Sequence, residues 1–206
     1  MRTVPGLDAS GVRSQFPALG REVAGRTAVF TDAPGGTQVP RLVIDAIATY
    51  LERNNANTGG AFPTSQATDE VIEGARRSGA DLLGCDPGEI VFGPNMTSLA
   101  FVLSRSLART LKPGDEVVVT RLDHDANIAP WVAAAEDAGA RVRWVDISPE
   151  DCTLDMRSLE DALSSRSRLV AFTLASNAVG TITRAGEVVN AARATGATVV
   201  ADAVHL

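Results

Sequence analysis

From residue 89 onward the apolar residues alternate, segment by segment, between a period of two and a period near 3.6, and this rhythm limits the possible folds more than any single motif does. Short runs rich in Val and Ile predict strands over residues 89–93, 116–120, 141–147, 168–174 and 198–201. Between them the spacing predicts helices over 97–111, 128–138, 156–163 and 185–194, the first with Leu99, Val102, Leu103 and Leu107 on one face. A helix between two strands carries the chain back to the end from which it started, so successive strands run parallel. The expectation is an α/β fold, a three-layer, doubly wound, mainly parallel sheet. Before residue 89, helices are predicted over 40–53, with proline at its start, and over 66–83, flanking a loop rich in Asn, Thr and Gly. The first 30 residues read as an arm.

Composition closes off several kinds of function. The net charge is −6 and the arginines are scattered, so no clustered basic surface is offered to a nucleic-acid backbone. No run of roughly 18 apolar residues occurs, and residues 1–8 lack the apolar stretch of a signal peptide, so neither membrane insertion nor export is expected. Cys85 and Cys152 show neither metal-ligand spacing nor a disulfide framework, which points to the reducing cytoplasm.

In open parallel sheets ligands bind beyond the carboxyl ends of the strands, so the residues just after each strand carry most of the information. After the first predicted strand comes Gly93-Pro94-Asn95-Met96-Thr97-Ser98, leading into a helix whose free amides make a phosphate cradle, with a hydroxyl from Thr97 or Ser98. The plainer alternative is an ordinary helix cap at Asn95, Thr97 or Ser98. After the second comes Asp123-His124-Asp125, one of two histidines, able to stack on a flat heteroaromatic ring or shuttle protons, or else a surface histidine in an acidic loop. After the fourth, Ser176-Asn177 places an amide that donates to an anionic oxygen or simply makes a turn. At the fifth, Asp202 ends an apolar run, suited to pair with a protonated ring nitrogen or to cap a loop.

Phosphate, flat ring, anionic ring oxygen and basic ring nitrogen together describe pyridoxal phosphate. An aspartate that keeps the ring nitrogen protonated lets the ring accept electrons from a substrate. A nucleotide-binding or dehydrogenase-like domain would share the strand and helix rhythm, but it needs a glycine-rich turn. Neither Gly-x-Gly-x-x-Gly nor a P-loop is present, and Ala33-Pro34-Gly35-Gly36-Thr37 is a poor substitute.

From about Phe16 to the end, the chain resembles the class V aminotransferases of the fold type I pyridoxal-phosphate enzymes, most closely their cysteine-desulfurase-like members. Phe30-Thr31-Asp32-Ala33-Pro34-Gly35-Gly36-Thr37-Gln38-Val39-Pro40 looks like the family's opening motif, in which a strand-ending Asp and a small-residue turn lead into the first helix. Asn57-Thr58-Gly59-Gly60 resembles a loop that approaches the site. The resemblance implies that Met96 and Thr97 bind phosphate and that His124 stacks on the ring as the catalytic residue. Asn177 would meet the phenolic oxygen and Asp202 the ring nitrogen, with His205 where many desulfurases carry glutamine. It implies a small amino-acid substrate, with sulfur removal from cysteine, amino transfer or a related cleavage as outcome, and a homodimer in the full-length form.

The same resemblance makes residues 31–206 a partial pyridoxal-phosphate-binding large domain, incomplete at its C-terminus and without the small C-terminal domain. The family's Schiff-base lysine follows the strand after the Asp motif, and the sequence stops before it. The only lysine, Lys112, lies in a Leu-Lys-Pro-Gly-Asp turn. The isolated chain is therefore expected to bind the cofactor weakly, to be inactive, and to be poorly soluble along an unpaired sheet edge. The alternative is a truncated, non-catalytic relative that acts as a binding or dimerisation module.

Overall fold

The computed structural model describes residues 8–206, so the first seven residues of the expected arm lie outside the described residues. The chain divides into two compact units, residues 1–91 and 92–206.

In the first unit, Asp8 caps a short helix, α1 (Ala9–Ser14), by accepting from the Gly11 amide at 2.9 Å. A 3-10 turn (Pro17–Gly20) and a hairpin of β1 (Glu22–Val23) and β2 (Arg26–Thr27) follow. No strand ends at Asp32. Beyond the bond from the Ala28 amide to the Arg21 carbonyl at 2.8 Å, residues 28–32 pair with no strand among the described residues and run into a 3-10 turn (Ala33–Gly35) started by Pro34. Helix α2 (Arg41–Arg53) follows Pro40, and α3 (Pro63–Leu83) begins three residues earlier than the periodicity predicts because Pro63 fits the first helical turn. Gly84, at φ 68°, ends α3 in the left-handed conformation that glycine takes without steric cost. The Asn- and Gly-rich loop is tied down onto α3. Ser65 donates to the Asn57 carbonyl at 2.6 Å, and Gly59 donates to Asp69 at 3.1 Å.

The second unit carries the sheet. The predicted strand over 89–93 does not form. Pro87–Glu89 is a 3-10 turn, and residues 90–93 find no strand partner among the described residues. Helix α4 (Met96–Ala108) leads through residues 109–115 to β3 (Glu116–Thr120). Then follow α5 (Ala129–Asp137), β4 (Arg141–Val145), α6 (Met156–Ala162), β5 (Ser167–Thr173), α7 (Ala185–Ala194) and β6 (Thr198–Asp202). The four strands are parallel in the order β4-β3-β5-β6. The register between β3 and β5 slips by one residue at Glu116–Val117, and Arg168 takes up the slack beside Asp115, at 3.2 Å.

Every residue of β3 is buried because helices cover both faces of this central strand. Val117 and Val119 point to one layer, with Trp131 and Ala135 of α5 and the half-buried Leu107 and Leu111. Val118 points to the other, with Leu159 and Ala162 of α6, Val188 and Ala192 of α7, and Phe172. The inward face of α4 differs from the predicted one. Ala100 and Ser104 are buried, whereas Leu103 is exposed and Val102 is 64% exposed, because small residues let the helix lie close to its neighbour α5.

Candidate cofactor-binding site

Strand β3 has β4 on one side and β5 on the other, so the winding of the chain reverses between β3 and β5. At such a switch point the loops leaving the two strands diverge, and a crevice opens at their carboxyl ends. The loop after β3 carries His124, and the loop after β5 carries Asn177. Helix α4 packs against α5 and the Asp125–Asn127 turn, while its last turn leads toward the start of β3.

The N-terminus of α4 keeps two donors free. Asn95 is the cap, as the plainer reading of this segment expects, and its side chain accepts from the Ser98 amide at 2.8 Å. Ser98 is thereby satisfied, whereas the amides of Met96 and Thr97, the first two of the helix, have no intrahelical acceptor. Thr97 is exposed and Met96 half-buried. Leu99 folds back over Gly93, where a side chain would meet it at 2.6 Å, which fixes how the chain enters the helix.

His124 is exposed at the head of a 3-10 turn (Asp125–Asn127). Its Nδ1 accepts from the Ala126 amide at 3.1 Å. A ring nitrogen that accepts leaves Nε2 as the donor position of the ring. The Asn127 amide donates to the His124 carbonyl at 2.8 Å, which closes the turn.

Behind the histidine lies a chain of buried polar groups. Thr120, the last residue of β3, donates its hydroxyl to Asp123. Asn127 donates to the other Asp123 oxygen at 2.6 Å, and Trp131, 1% exposed, donates its indole N–H to Asn127 at 3.0 Å. Burial pushes the Asp123 carboxyl up to about 6 against the pull of these hydrogen bonds, and the charge of Asp202 adds to the rise.

Asp202 is the last residue of β6, one position beyond the predicted end of the strand, and is 8% exposed. Its carbonyl accepts from the Leu174 amide at 2.8 Å, and its side chain accepts from the Val204 amide at 2.9 Å. Among the described residues no Arg, Lys or His side chain lies within ion-pairing distance of Asp202 or Asp123. Asn177 is half-buried in a turn shaped by Ser176, whose carbonyl accepts from Gly180 at 3.0 Å. His205, also half-buried, follows in the turn after β6. Because β3, β5 and β6 are parallel, His124, Asn177 and Asp202 all lie at or beyond the carboxyl ends of their strands, and α4, which begins at Met96, touches the turn that follows His124.

The model of the aminotransferase class-V family matches residues 29–206. The chain belongs to the aminotransferase class-V family. Within it, the chain is cysteine-desulfurase-like. It is 36% identical over 200 residues to a probable cysteine desulfurase of Vibrio cholerae, covering 95% of this chain and 49% of that protein. It is 35% identical over 195 residues to an uncharacterised protein of Mycobacterium tuberculosis, covering 95% of this chain and 48% of the other. The solved cysteine desulfurase of Thermococcus onnurineus superposes with a TM-score of 0.83 at 26% identity, over 98% of this chain and 48% of that one. The chain spans about half the length of the curated relatives it matches.

Sequence reasoning picked out Asp123 only as the neighbour of His124 and missed its bonded connection through Asn127 to Trp131. Their spacing of four residues, continuing from a turn into α5, was a usable signal, since it aligns side chains along one helical stripe.

Proposed function

We propose that this chain supplies the pyridoxal-phosphate-binding face of a cysteine-desulfurase-like enzyme that acts on a small amino acid, cysteine first among them. The observation that carries this reading is the pair of carboxylates, Asp202 and Asp123, at the switch-point edge with no protein cation to balance them. A nearly buried carboxylate without a partner is costly, and a protonated ring nitrogen relieves it. The rest of the edge fits the same molecule. The free amides of Met96 and Thr97 suit a phosphate at a helix N-terminus, where the aligned peptide dipoles add to the hydrogen bonds. His124 presents an exposed ring whose Nδ1 is held by the Ala126 amide, Asn177 offers an amide to a ring oxygen, and His205 follows Asp202 in the next turn.

When bound, pyridoxal phosphate supplies an electron sink for bond cleavage at the carbon bearing the amino group. The roles of the chain are then to hold the phosphate, to fix the plane of the ring at His124 and to keep the ring nitrogen protonated through Asp202. The full-length form is proposed to be a cytoplasmic homodimer. The exposed apolar side chains of α2, Leu42, Ile47 and Leu51 among them, favour a protein partner. No described helix is long and apolar enough to cross a membrane.

The test uses pyridoxine 5′-phosphate, which keeps the ring, phosphate and phenol but lacks the aldehyde that would react with any amine. Saturable binding to this polypeptide is expected, read by Trp131 fluorescence, and Asp202→Ala weakens it by about tenfold or more, the effect of one nearby opposite charge. Affinity unchanged in Asp202→Ala would overturn the assignment.

A further inference from the structure

The network behind His124 does more than the cofactor contacts require, and its central member, Asp123, faces Asp202 across the end of β5. We propose that Asp123 is a positioning residue with two tasks: it holds the turn that presents His124, and it adds a second negative charge for a ring cation beside Asp202, giving up a proton to water on binding when the solution is weakly acidic. This rests on the reading of the edge as a pyridoxal-phosphate site.

The geometry supports both tasks. Asp123 joins Thr120 at the end of β3 to Asn127 in the turn, and Asn127 joins the turn to the buried Trp131 of α5. The two residues flanking His124 in this chain of bonds cannot shift without breaking it. The Leu122 amide, donating to the Thr120 hydroxyl at 3.2 Å, fixes the start of the same loop. The hydroxyl of Thr120 can rotate, so it donates to Asp123 when the carboxyl is ionised and accepts from it when protonated.

The surroundings of Asp123 supply no protein cation. From β6 the facing charge is Asp202, from β5 it is the uncharged backbone of Thr173, and from α5 and the turn it is the neutral Asn127 and Trp131. On its own loop are Arg121, His124 and Asp125, and Arg121 is engaged with Asp146 at 2.7 Å. On α4, Arg105 lines a shallow depression with Asp137 of α5. Without a ligand, burial and the charge of Asp202 push the Asp123 carboxyl up to about 6, so the proton sits on Asp123 only in solutions more acid than that. A cation beside Asp202 reverses the balance, and Asp123 then adds a second negative charge to hold it. Binding of the cation and loss of the proton are coupled.

Asp123→Asn separates the two tasks, because the amide reproduces the hydrogen bonds of the protonated acid but cannot ionise. Binding of pyridoxine 5′-phosphate is measured from pH 5 to 8 in the wild type, Asp123→Asn and Asp202→Ala, with thermal melts of the ligand-free proteins alongside. At pH 8, Asp123→Asn is expected to melt higher than the wild type yet bind about tenfold more weakly, and the affinity difference closes below pH 6. The ligand phosphate titrates equally in all variants, so it drops out of the comparison. An Asp123→Asn affinity equal to wild type at pH 8, with Asp202→Ala weakened, overturns the inference and leaves the proposed function standing. If neither variant changes affinity, the site reading fails and the inference goes with it. A lower melting point for Asp123→Asn at pH 8 makes the residue a purely structural anchor and overturns the proton-release task.

Discussion

His124 is presented by its neighbours, and Asn127 is the neighbour that matters most. Its amide group accepts from Trp131 and donates to Asp123, so truncation leaves two buried partners unsatisfied. Asn127→Ala is expected to destabilise the protein by about 1–3 kcal/mol and to shift Trp131 fluorescence, measured together in a urea titration. A stability equal to wild type would show that the relay contributes nothing. The raised carboxyl of Asp123 has its own pH signature. A group whose folded value exceeds its unfolded one stabilises the fold below the unfolded value, and that contribution is lost as pH rises through about 6. The loss amounts to about 3 kcal/mol at most, which is why the Asn variant is expected to melt higher at pH 8. Asp123, His124, Asn177 and Asp202 could be singled out as candidates in the sequence because each lies at the end of a strand-like apolar run or a few residues beyond it. The bond between Asp123 and Asn127 was not legible, since an acid and an amide in a polar loop look alike whether they face water or each other.

At the scale of elements, the predicted strands and helices of the second unit stand within a few residues of their observed bounds, except where tertiary context decides. The apolar run over 89–93 has the pattern of a strand but lacks a hydrogen-bonding neighbour, and α4 buries Ala100 and Ser104 in place of the larger Val102 and Leu103. Propensity describes what a segment can become, whereas pairing and packing choose the outcome. Glu116 illustrates a pairing that no pattern reveals. It opens β3, is 1% exposed, and is held below the usual carboxylate range first by the Ser164 hydroxyl at 2.6 Å and then by Arg166 at 2.9 Å. Its contribution is therefore present above the ordinary carboxylate range and is lost as pH falls through the lowered value. Glu116→Gln is expected to cost about 1–2 kcal/mol at neutral pH, with the gap to wild type shrinking at acid pH, below the ordinary carboxylate range. Urea midpoints at neutral and at acid pH check this, and a gap that widens in acid would contradict it.

For the whole molecule, the layered packing around β3 and β5 sets where the structure opens last. Val117, Val118, Val119, Val170 and Ala171 sit between two helical layers, whereas β4 and β6 are edge strands among the described residues and expose several side chains. Amide hydrogen exchange is expected to be slowest in β3 and β5 and faster in β4, β6 and α2. Protection greater in α2 than in β3 would mean that the stable centre lies in the first unit. The three-layer fold class was legible because a parallel sheet demands the alternating periods, but the strand order was not. Where β5 inserts beside β3 depends on which faces the crossover helices cover, and that is settled only when all of them pack.

Arg121 stands two positions from Asp123 in the sequence, yet it is drawn toward the opposite flank of the sheet, its guanidinium 2.7 Å from Asp146 and 4.8 Å from the centre of the Trp144 ring. Those two side chains act as a mooring. On the proposed reading of the site, they hold an intramolecular counter-ion away from the place that a positively charged visitor would take, so residues that never touch the visitor would keep the crevice receptive. Cutting the mooring at Asp146 would turn the arginine into a tethered competitor.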